Sequence, residues 1–379
     1  MTDTPTAPST TRELRSTLTS DGIVTLAMRE TDLDAPGPDE VVVRIDAAPV
    51  NPSDLGMLFA GADVRDATST GSDDLPAVSM PVTAGLSSMA ARFDTPMPVG
   101  NEGGGVVVAA GDSPAAQELL GSTVGFISGS TYAQFRTVHV TQCLPMSAGT
   151  DPADAAAAFV NPLTALGMVE TMRSEGHTAL VHTVGASNLG QMLNRICLDD
   201  DIGLVNIVRK PEQVELLRGQ GAKFVVDSSS DSFVTDLKDA LRATGATIAF
   251  DAIGGGGLAS TLLTQMEAVL SEGDEFSRYG SDTLKQVYVY GGLDRGPTTL
   301  ERSFGMSWSI GGWLLTPFLA KIGQERAGEL RQRVANEITT TFASSYGMRL
   351  SLAEAVDPDH VARYGKMATG DKALITPHA

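Results

Sequence analysis

The first third of the chain alternates apolar and polar residues in segments of strand length. Gly22–Met28 and Val41–Ala48 are rich in β-branched residues and are separated by the turn Pro36-Gly37-Pro38. Gly103–Gly111 reads as a strand entered and left through glycines, and Thr123–Ile127 and Tyr132–Val140 continue the pattern. Residues 60–98 are rich in Gly, Ala, Ser, Thr and Pro and show no period. They read as a long loop with room for one short helix, of the kind that forms a lid or a binding loop. Met1 to Thr19 is polar and lacks the apolar core of a secretory signal, so it reads as a ragged start before the first strand.

From Asp151 the period changes. Pro152–Glu170 is Ala-rich with helical spacing, broken at Asn161-Pro162, and Asp151 with Pro152 makes a plausible helix start. Strands at Ala179–Val184, Leu204–Val208, Lys223–Val226, Thr247–Phe250 and Gln286–Tyr290 then alternate with helices at Leu189–Leu198, Glu212–Gln220, Phe233–Ala243 and Gly257–Leu270. Such β-α-β alternation predicts a parallel, doubly wound sheet. Ser307–Leu315 is a candidate further strand, Pro317–Phe342 has helical character, and Lys372–Thr376 reads as a closing strand.

A length of 379 residues suits two or three domains, and no apolar run approaches the ~18 residues of a membrane span. Two cysteines, Cys143 and Cys197, supply neither a disulfide framework nor a thiolate zinc site, which fits a reducing cytoplasm. A formal net charge of −19 argues against nucleic acid or an anionic membrane as the main partner. It also makes any adjacent pair of cations informative.

One such pair lies in the alternating region. Gly185-Ala186-Ser187-Asn188-Leu189-Gly190 follows a strand and opens a helix with the G-x-G-x-x-G spacing, Ser187 standing at the middle position. In such a turn the first glycine permits the tight bend, the second lets backbone approach a pyrophosphate, and the third lets helix and strand pack closely. Ser187 adds a hydroxyl at some cost in room. The following strand ends in Arg209-Lys210, with no acid between Asp201 and Glu212 to bond a ribose 2′-OH. Two cations there suit a 2′-phosphate, so the expected cofactor is NADPH. Gly254 and Gly255 follow one strand at the carboxyl edge of the sheet, and Gly291, Gly292 and Leu293 follow the next. All five are expected to line the cofactor through backbone.

Several segments, in order, carry a resemblance: Val41–Asp54 with its Asn51-Pro52-Ser53-Asp54, Val99–Gly105 with Gly100-Asn101-Glu102, Tyr132–Phe135, Val160–Ala165, the Gly185 turn, Phe250–Gly254 and Val289–Gly292. Over about residues 20–376 the chain resembles the zinc-independent side of the medium-chain dehydrogenase/reductase superfamily. Its NADPH:quinone oxidoreductases and its trans-2-enoyl-thioester reductases are the two subfamilies it is similar to. Zinc-dependent relatives have Cys where this chain has Asn51 and His where it has Asn101, and neither amide is a normal zinc ligand, so no metal is expected.

The resemblance implies a GroES-like β-rich catalytic domain over 1–155 and 319–379 and a Rossmann domain over 156–318, with NADPH in the cleft. It places Asn51, Thr164 and Tyr132 near the reacting centre, Trp313 against the carboxamide, and Lys372 near the NADPH phosphates. Asp54 is expected to hold the loop by accepting backbone N–H groups. Enoyl reductases supply a proton-donating Tyr in the loop after Asn-Pro-Ser-Asp, but Leu55–Asp63 contains none. Reduction of a quinone or related conjugated carbonyl is therefore the first expectation. Enoyl-thioester reduction is the second, and a non-catalytic NADPH-binding sensor or structural protein the third. The resemblance further implies a homodimer joined through the Ser307–Leu315 edge.

Overall fold

The computed structural model describes residues 8–273, 275–368 and 370–379. The chain divides into two compact units, Met1–Val160 with Arg331–Ala379, and Asn161–Leu330.

The first unit is built on two sheets. In one, Thr10–Leu18 pairs antiparallel with Ile23–Asp32, from Thr10 opposite Asp32 to Leu18 opposite Val24. The N-terminal segment from Thr10 is therefore a strand rather than a ragged start, while residues 1–7 lie outside the described residues. Residues are buried on both of its faces, polar ones among them, which hides the alternation. Thr11, Glu13 and Ser16 are buried beside Leu14 and Leu18, and Ser16 Oγ donates to Leu58 O at 3.0 Å. The stretch 60–98 likewise holds strands, at Thr68–Gly71, Pro76–Pro81 and Met97–Pro98, with short helical turns at Val64–Asp66 and Leu86–Arg92. Pro76–Pro81 pairs with the strand beginning at Ile23. Thr68–Gly71 is exposed along its whole length, so it has no apolar face to give a period.

The second sheet is ordered Cys143–Pro145, Thr123–Ile127, Glu102–Ala110, Glu40–Pro49, Ala373–Ile375, Met348–Leu350, with Phe135–His139 also pairing with Glu40–Pro49. The C-terminal strand Ala373–Ile375 runs antiparallel to the end of Glu40–Pro49, and Val50 N–H donates to Ala373 O at 2.9 Å. That pairing brings Lys372 beside Asn51, 321 residues away in sequence. Leu26, Val43, Ile45, Val124 and Phe126, all fully buried, are at the heart of the core.

The second unit is a six-stranded parallel sheet in the order Phe224–Asp227, Gly203–Val208, Ala179–His182, Ile248–Asp251, Lys285–Val289, Trp308–Gly312. In chain order this is 3-2-1-4-5-6, the dinucleotide-binding arrangement, whose order reverses beside Ala179–His182. The predicted helices are present, with two changes. The Pro152–Glu170 helix is two pieces, Pro152–Ala155 and Val160–Ser174, and Asn161-Pro162 lies in the first turn of the second, where a proline is tolerated. The helix Leu315–Asn336 is interrupted at Gly323, whose φ of 82° belongs to the left-handed region.

The segment 271–284 is pinned at its base. Lys285, fully buried, donates from Nζ to Glu267 Oε2 at 2.5 Å, Ser281 Oγ at 2.9 Å and Thr283 O at 3.0 Å. Glu267 accepts in addition from Ser271 and from the backbone and side chain of Ser281. Burial opposes its charge, but these donors hold its carboxyl down at about 2. No helix among the described residues is long and apolar enough to cross a membrane.

Candidate functional site

In the second unit the strand Ala179–His182 leads into the expected turn, and the helix Asn188–Asp199 starts directly after Ser187. The left-handed residue is Val184, at φ 54°, not Gly185. A β-branched residue is costly there, and such strain collects at functional turns. Gly185 is needed for space instead: a Cβ on it would lie 2.9 Å from the side chain of Asn206 on the neighbouring strand. At Gly190 a Cβ would lie 2.3 Å from Gly185 O, so the third glycine does set the helix against the strand end. Ser187 is the helix N-cap, its Oγ accepting Gly190 N–H at 3.1 Å. The serine that replaces the middle glycine thus uses one N–H that would otherwise face an anion. Asn188 and Leu189 form the first turn that follows.

Arg209 and Lys210 directly follow the strand Gly203–Val208, and both are exposed. Lys210 meets Glu212 at 3.6 Å with both side chains more than half exposed, a weak pair. The Arg209 backbone N–H donates to Gln213, while its guanidinium has no protein partner among the described residues.

The loops after the next two strands are organised by a residue that the sequence did not single out. Asp251, fully buried at the end of Ile248–Asp251, accepts Thr183 Oγ1 and Ile253 N–H on one oxygen and Gly254 N–H on the other. Gly254 and Gly255 begin a short strand that pairs with Asp294–Thr298. Gly291 packs against Ala252, Gly292 stands in open space, and Leu293 is half exposed. His182, buried at the end of the strand Ala179–His182, is satisfied on one nitrogen. Nε2 bonds Tyr290 Oη at 2.7 Å, Nδ1 has no partner, and burial pushes the ring down to about 3.

Trp313 is a packing residue. Its indole N–H donates to Thr171 at 3.0 Å, its ring meets Phe250 and Phe318, and it fills the space left by Gly167. That accounts for the side chain without a carboxamide contact. Thr164 is buried in the helix Val160–Ser174.

In the first unit the structure gathers a buried polar cluster. Asn51 is fully buried and used at both ends, Nδ2 donating to Glu102 Oε1 at 2.8 Å and Oδ1 accepting from Lys372 Nζ at 2.8 Å. Glu102, also fully buried, accepts Phe159 and Val160 N–H on Oε2. Asp54 accepts the N–H groups of Asn51 at 2.7 Å and Asn101 at 3.0 Å, which is the loop-holding role expected of it. Burial raises the Asp54 carboxyl to about 7, against those N–H donors. Burial raises Glu102 as well, opposed chiefly by Lys372. Lys372 is pushed down to about 8 by burial, against the pull of Glu102 and Asp54.

Two expectations change here. Tyr132 is 1% exposed, and its hydroxyl donates to Pro49 O at 3.1 Å, so it packs and staples rather than meeting a substrate. Lys372 Nζ donates to Asn51 within the first unit, with Glu102 and Asp54 attracting it from further off, which accounts for the side chain without phosphates. Asn101 donates from Nδ2 to Ser53 Oγ at 3.0 Å. Among the described residues no group of three His, Cys, Asp or Glu converges on a point that would hold a metal.

No family model matches the chain. Solved structures do. It is similar to a candidate NADPH:quinone reductase from Mesorhizobium loti, at 24% identity over 98% of this chain and 100% of that one, with a TM-score of 0.72. A second candidate NADPH:quinone reductase, from Bacillus thuringiensis, is 17% identical over 97% and 99%, with a TM-score of 0.73. A mutant form of the enoyl thioester reductase from Candida tropicalis is 19% identical over 97% and 99%, with a TM-score of 0.66. The chain therefore shares the fold of these solved structures.

Proposed function

We propose that this protein is an NADPH-dependent reductase of quinones or related conjugated carbonyls, working in the cytoplasm as a homodimer. The observation that carries the reading is the pairing of a dinucleotide turn with an uncommitted cation where the sheet order reverses. Gly190 permits the close approach of helix and turn, and Arg209 and Lys210 follow the next strand with no acid between them and that turn's helix end at Asp199–Asp201. The residues fit the cofactor. The helix N-terminus at Asn188 and Leu189 suits the pyrophosphate, Arg209 and Lys210 suit the 2′-phosphate, and the backbone at Gly254, Gly255, Gly291 and Gly292 suits the remainder.

The bound cofactor would supply hydride, and the protein binds, orients and polarises. The likeness to structures of candidate quinone reductases supports the substrate class. The absence of a tyrosine in Leu55–Asp63 weighs against the enoyl-thioester alternative. The dimer contact proposed is Trp308–Gly312, which is the edge strand of the parallel sheet.

NADPH oxidation followed with a panel of quinones, with crotonyl thioester and with no acceptor tests the reading. Acceptor-dependent oxidation with quinones is expected. Oxidation with the thioester alone would replace the substrate, and tight NADPH binding with no oxidation would leave a sensor or structural protein.

A further inference from the structure

We propose that Thr183 and Asp251 are positioning residues for the cofactor: their hydrogen-bonded clamp holds Val184 in the left-handed conformation that shapes the dinucleotide turn. The inference rests on the reading of that turn as an NADPH site, and every group in it belongs to the second unit.

A left-handed backbone is disfavoured for an L-residue, and most of all for a β-branched one. Val184 adopts it at φ 54° while only partly buried, so something besides a sealed side chain must hold it there. The holding is done from both sides. The strand Ala179–His182 lies between Gly203–Val208 and Ile248–Asp251. Directly after it, Thr183 N–H donates to Phe250 O at 3.1 Å on one side, and Gly185 N–H donates to Ile207 O at 2.9 Å on the other. Val184 is the residue between these two anchors, and its carbonyl accepts Ser187 N–H at 3.0 Å, which closes the turn.

The Thr183 side chain makes the first anchor rigid. Fully buried, its Oγ1 donates to Asp251 Oδ1 at 3.0 Å and accepts Ala252 N–H at 2.8 Å. Asp251, also fully buried, accepts Ile253 N–H at 2.9 Å on the same oxygen and Gly254 N–H at 3.1 Å on the other. Gly254 is left-handed too, at φ 81°. One carboxylate therefore fixes the left-handed residue in the loop after Ile248–Asp251 and, through Thr183, the one in the dinucleotide turn. A hydroxyl is required at residue 183, because the same oxygen must donate one bond and accept another. Without the clamp, Val184 relaxes towards negative φ, and only the fraction of molecules that keeps the turn binds the cofactor.

The test measures NADPH affinity by fluorescence titration, and stability by urea unfolding, for wild type, Thr183→Val, Thr183→Ser, Val184→Gly and the combination of Thr183→Val with Val184→Gly. Thr183→Val should weaken NADPH roughly 5- to 30-fold, the range by which a left-handed conformation is disfavoured in an L-residue. Thr183→Ser restores the hydroxyl and should recover affinity to within about twofold of wild type. In the Val184→Gly background the Thr183→Val change should cost no more than about threefold, because glycine takes positive φ without strain. A general loss of stability would not depend on the background in this way. Should Thr183→Val not fold, Asp251→Asn, of nearly equal volume, replaces it in both backgrounds. Wild-type affinity in the clamp variant, or an equal loss in the two backgrounds, overturns the proposal and leaves the NADPH reading standing. If the wild type binds no NADPH, that reading fails and the positioning role falls with it.

Discussion

Gly190→Ala should separate cofactor binding from mere folding more sharply than any other single change. A Cβ on Gly190 would lie 2.3 Å from Gly185 O, 2.6 Å from Gly185 C and 2.8 Å from Gly185 Cα. All three are backbone atoms, so no side chain can swing away. Real Cβ atoms essentially never come within 3.0 Å of such neighbours, so the helix start and the turn must part by about 0.7 Å (3.0 less 2.3). Overpacking of this kind costs about 1–3 kcal/mol of stability. The same displacement stretches a hydrogen bond of ~2.9 Å to ~3.6 Å, beyond useful range. A bond to a charged group contributes about 1.5–3 kcal/mol, so losing one weakens NADPH roughly 10- to 150-fold.

The control is Gly219→Ala, in the helix Pro211–Gly219, where a Cβ would meet nothing within 4 Å. It should stabilise by about 0.5–1 kcal/mol with NADPH binding unchanged. Urea unfolding and NADPH fluorescence titration read both quantities. If the Gly190 variant shows wild-type affinity, the helix start does not hold the phosphates, whatever happens to its stability.

Arg209→Ala with Lys210→Ala should weaken NADPH by roughly 30-fold or more, two charge-assisted contacts being lost, and leave NADH within about twofold; equal losses in calorimetric titration would mean the pair does not read a 2′-phosphate. Val184→Gly should leave the unfolding midpoint equal or higher, because a left-handed conformation costs an L-residue about 1–2 kcal/mol and glycine returns only about 0.5–1 kcal/mol of that as entropy; a clear loss would show that the side chain's packing outweighs the strain. Lys285→Met should cost about 3–5 kcal/mol at pH 7 by leaving Glu267 buried without its cation. The native carboxyl sits near 2 against an ordinary 4.5, so its contribution is complete above about 4.5 and is lost as pH falls towards 2. The gap between the variant and wild type in urea unfolding should accordingly narrow on acidification, and a pH-independent gap would assign the loss to packing.

The Rossmann unit was legible because its strands are buried on both sides and read as apolar runs, while its helices carry amphipathic spacing. The turn was legible by spacing, but its conformational detail was not. Glycine spacing says which positions need room, whereas the left-handed residue proved to be Val184. Thr10–Leu18 and Thr68–Gly71 escaped for opposite reasons, the first because it buries residues on both faces, polar ones among them, and the second because it buries nothing. Asn51 and Asp54 were found, but their partners were not. No local pattern connects Asn51 with Lys372, since only the antiparallel docking of Ala373–Ile375 on the end of Glu40–Pro49 makes them neighbours. Asp251 was passed over because one buried acid at a strand end looks the same in sequence as an exposed one.

The distribution of charge ties the two candidate sites together. With 27 basic against 46 acidic side chains, acids outnumber cations, and several exposed arginines are paired, as Arg44, Arg65, Arg242 and Arg363 are. Among the described residues Arg209 makes no ion pair, and it stands just beyond a parallel strand of the second unit's sheet. A chain at net −19 repels a cofactor of several negative charges from most of its surface. On the proposed function, a local cation at the strand end would reverse the field where a phosphate binds. Lys372 solves the converse problem. Surrounded by two carboxylates, a lysine ordinarily becomes more firmly protonated, yet burial outweighs both and brings it down. Asn51 holds Glu102 one amide away from Lys372, and replacing it with a residue that let Glu102 close on the ammonium would be expected to raise that group.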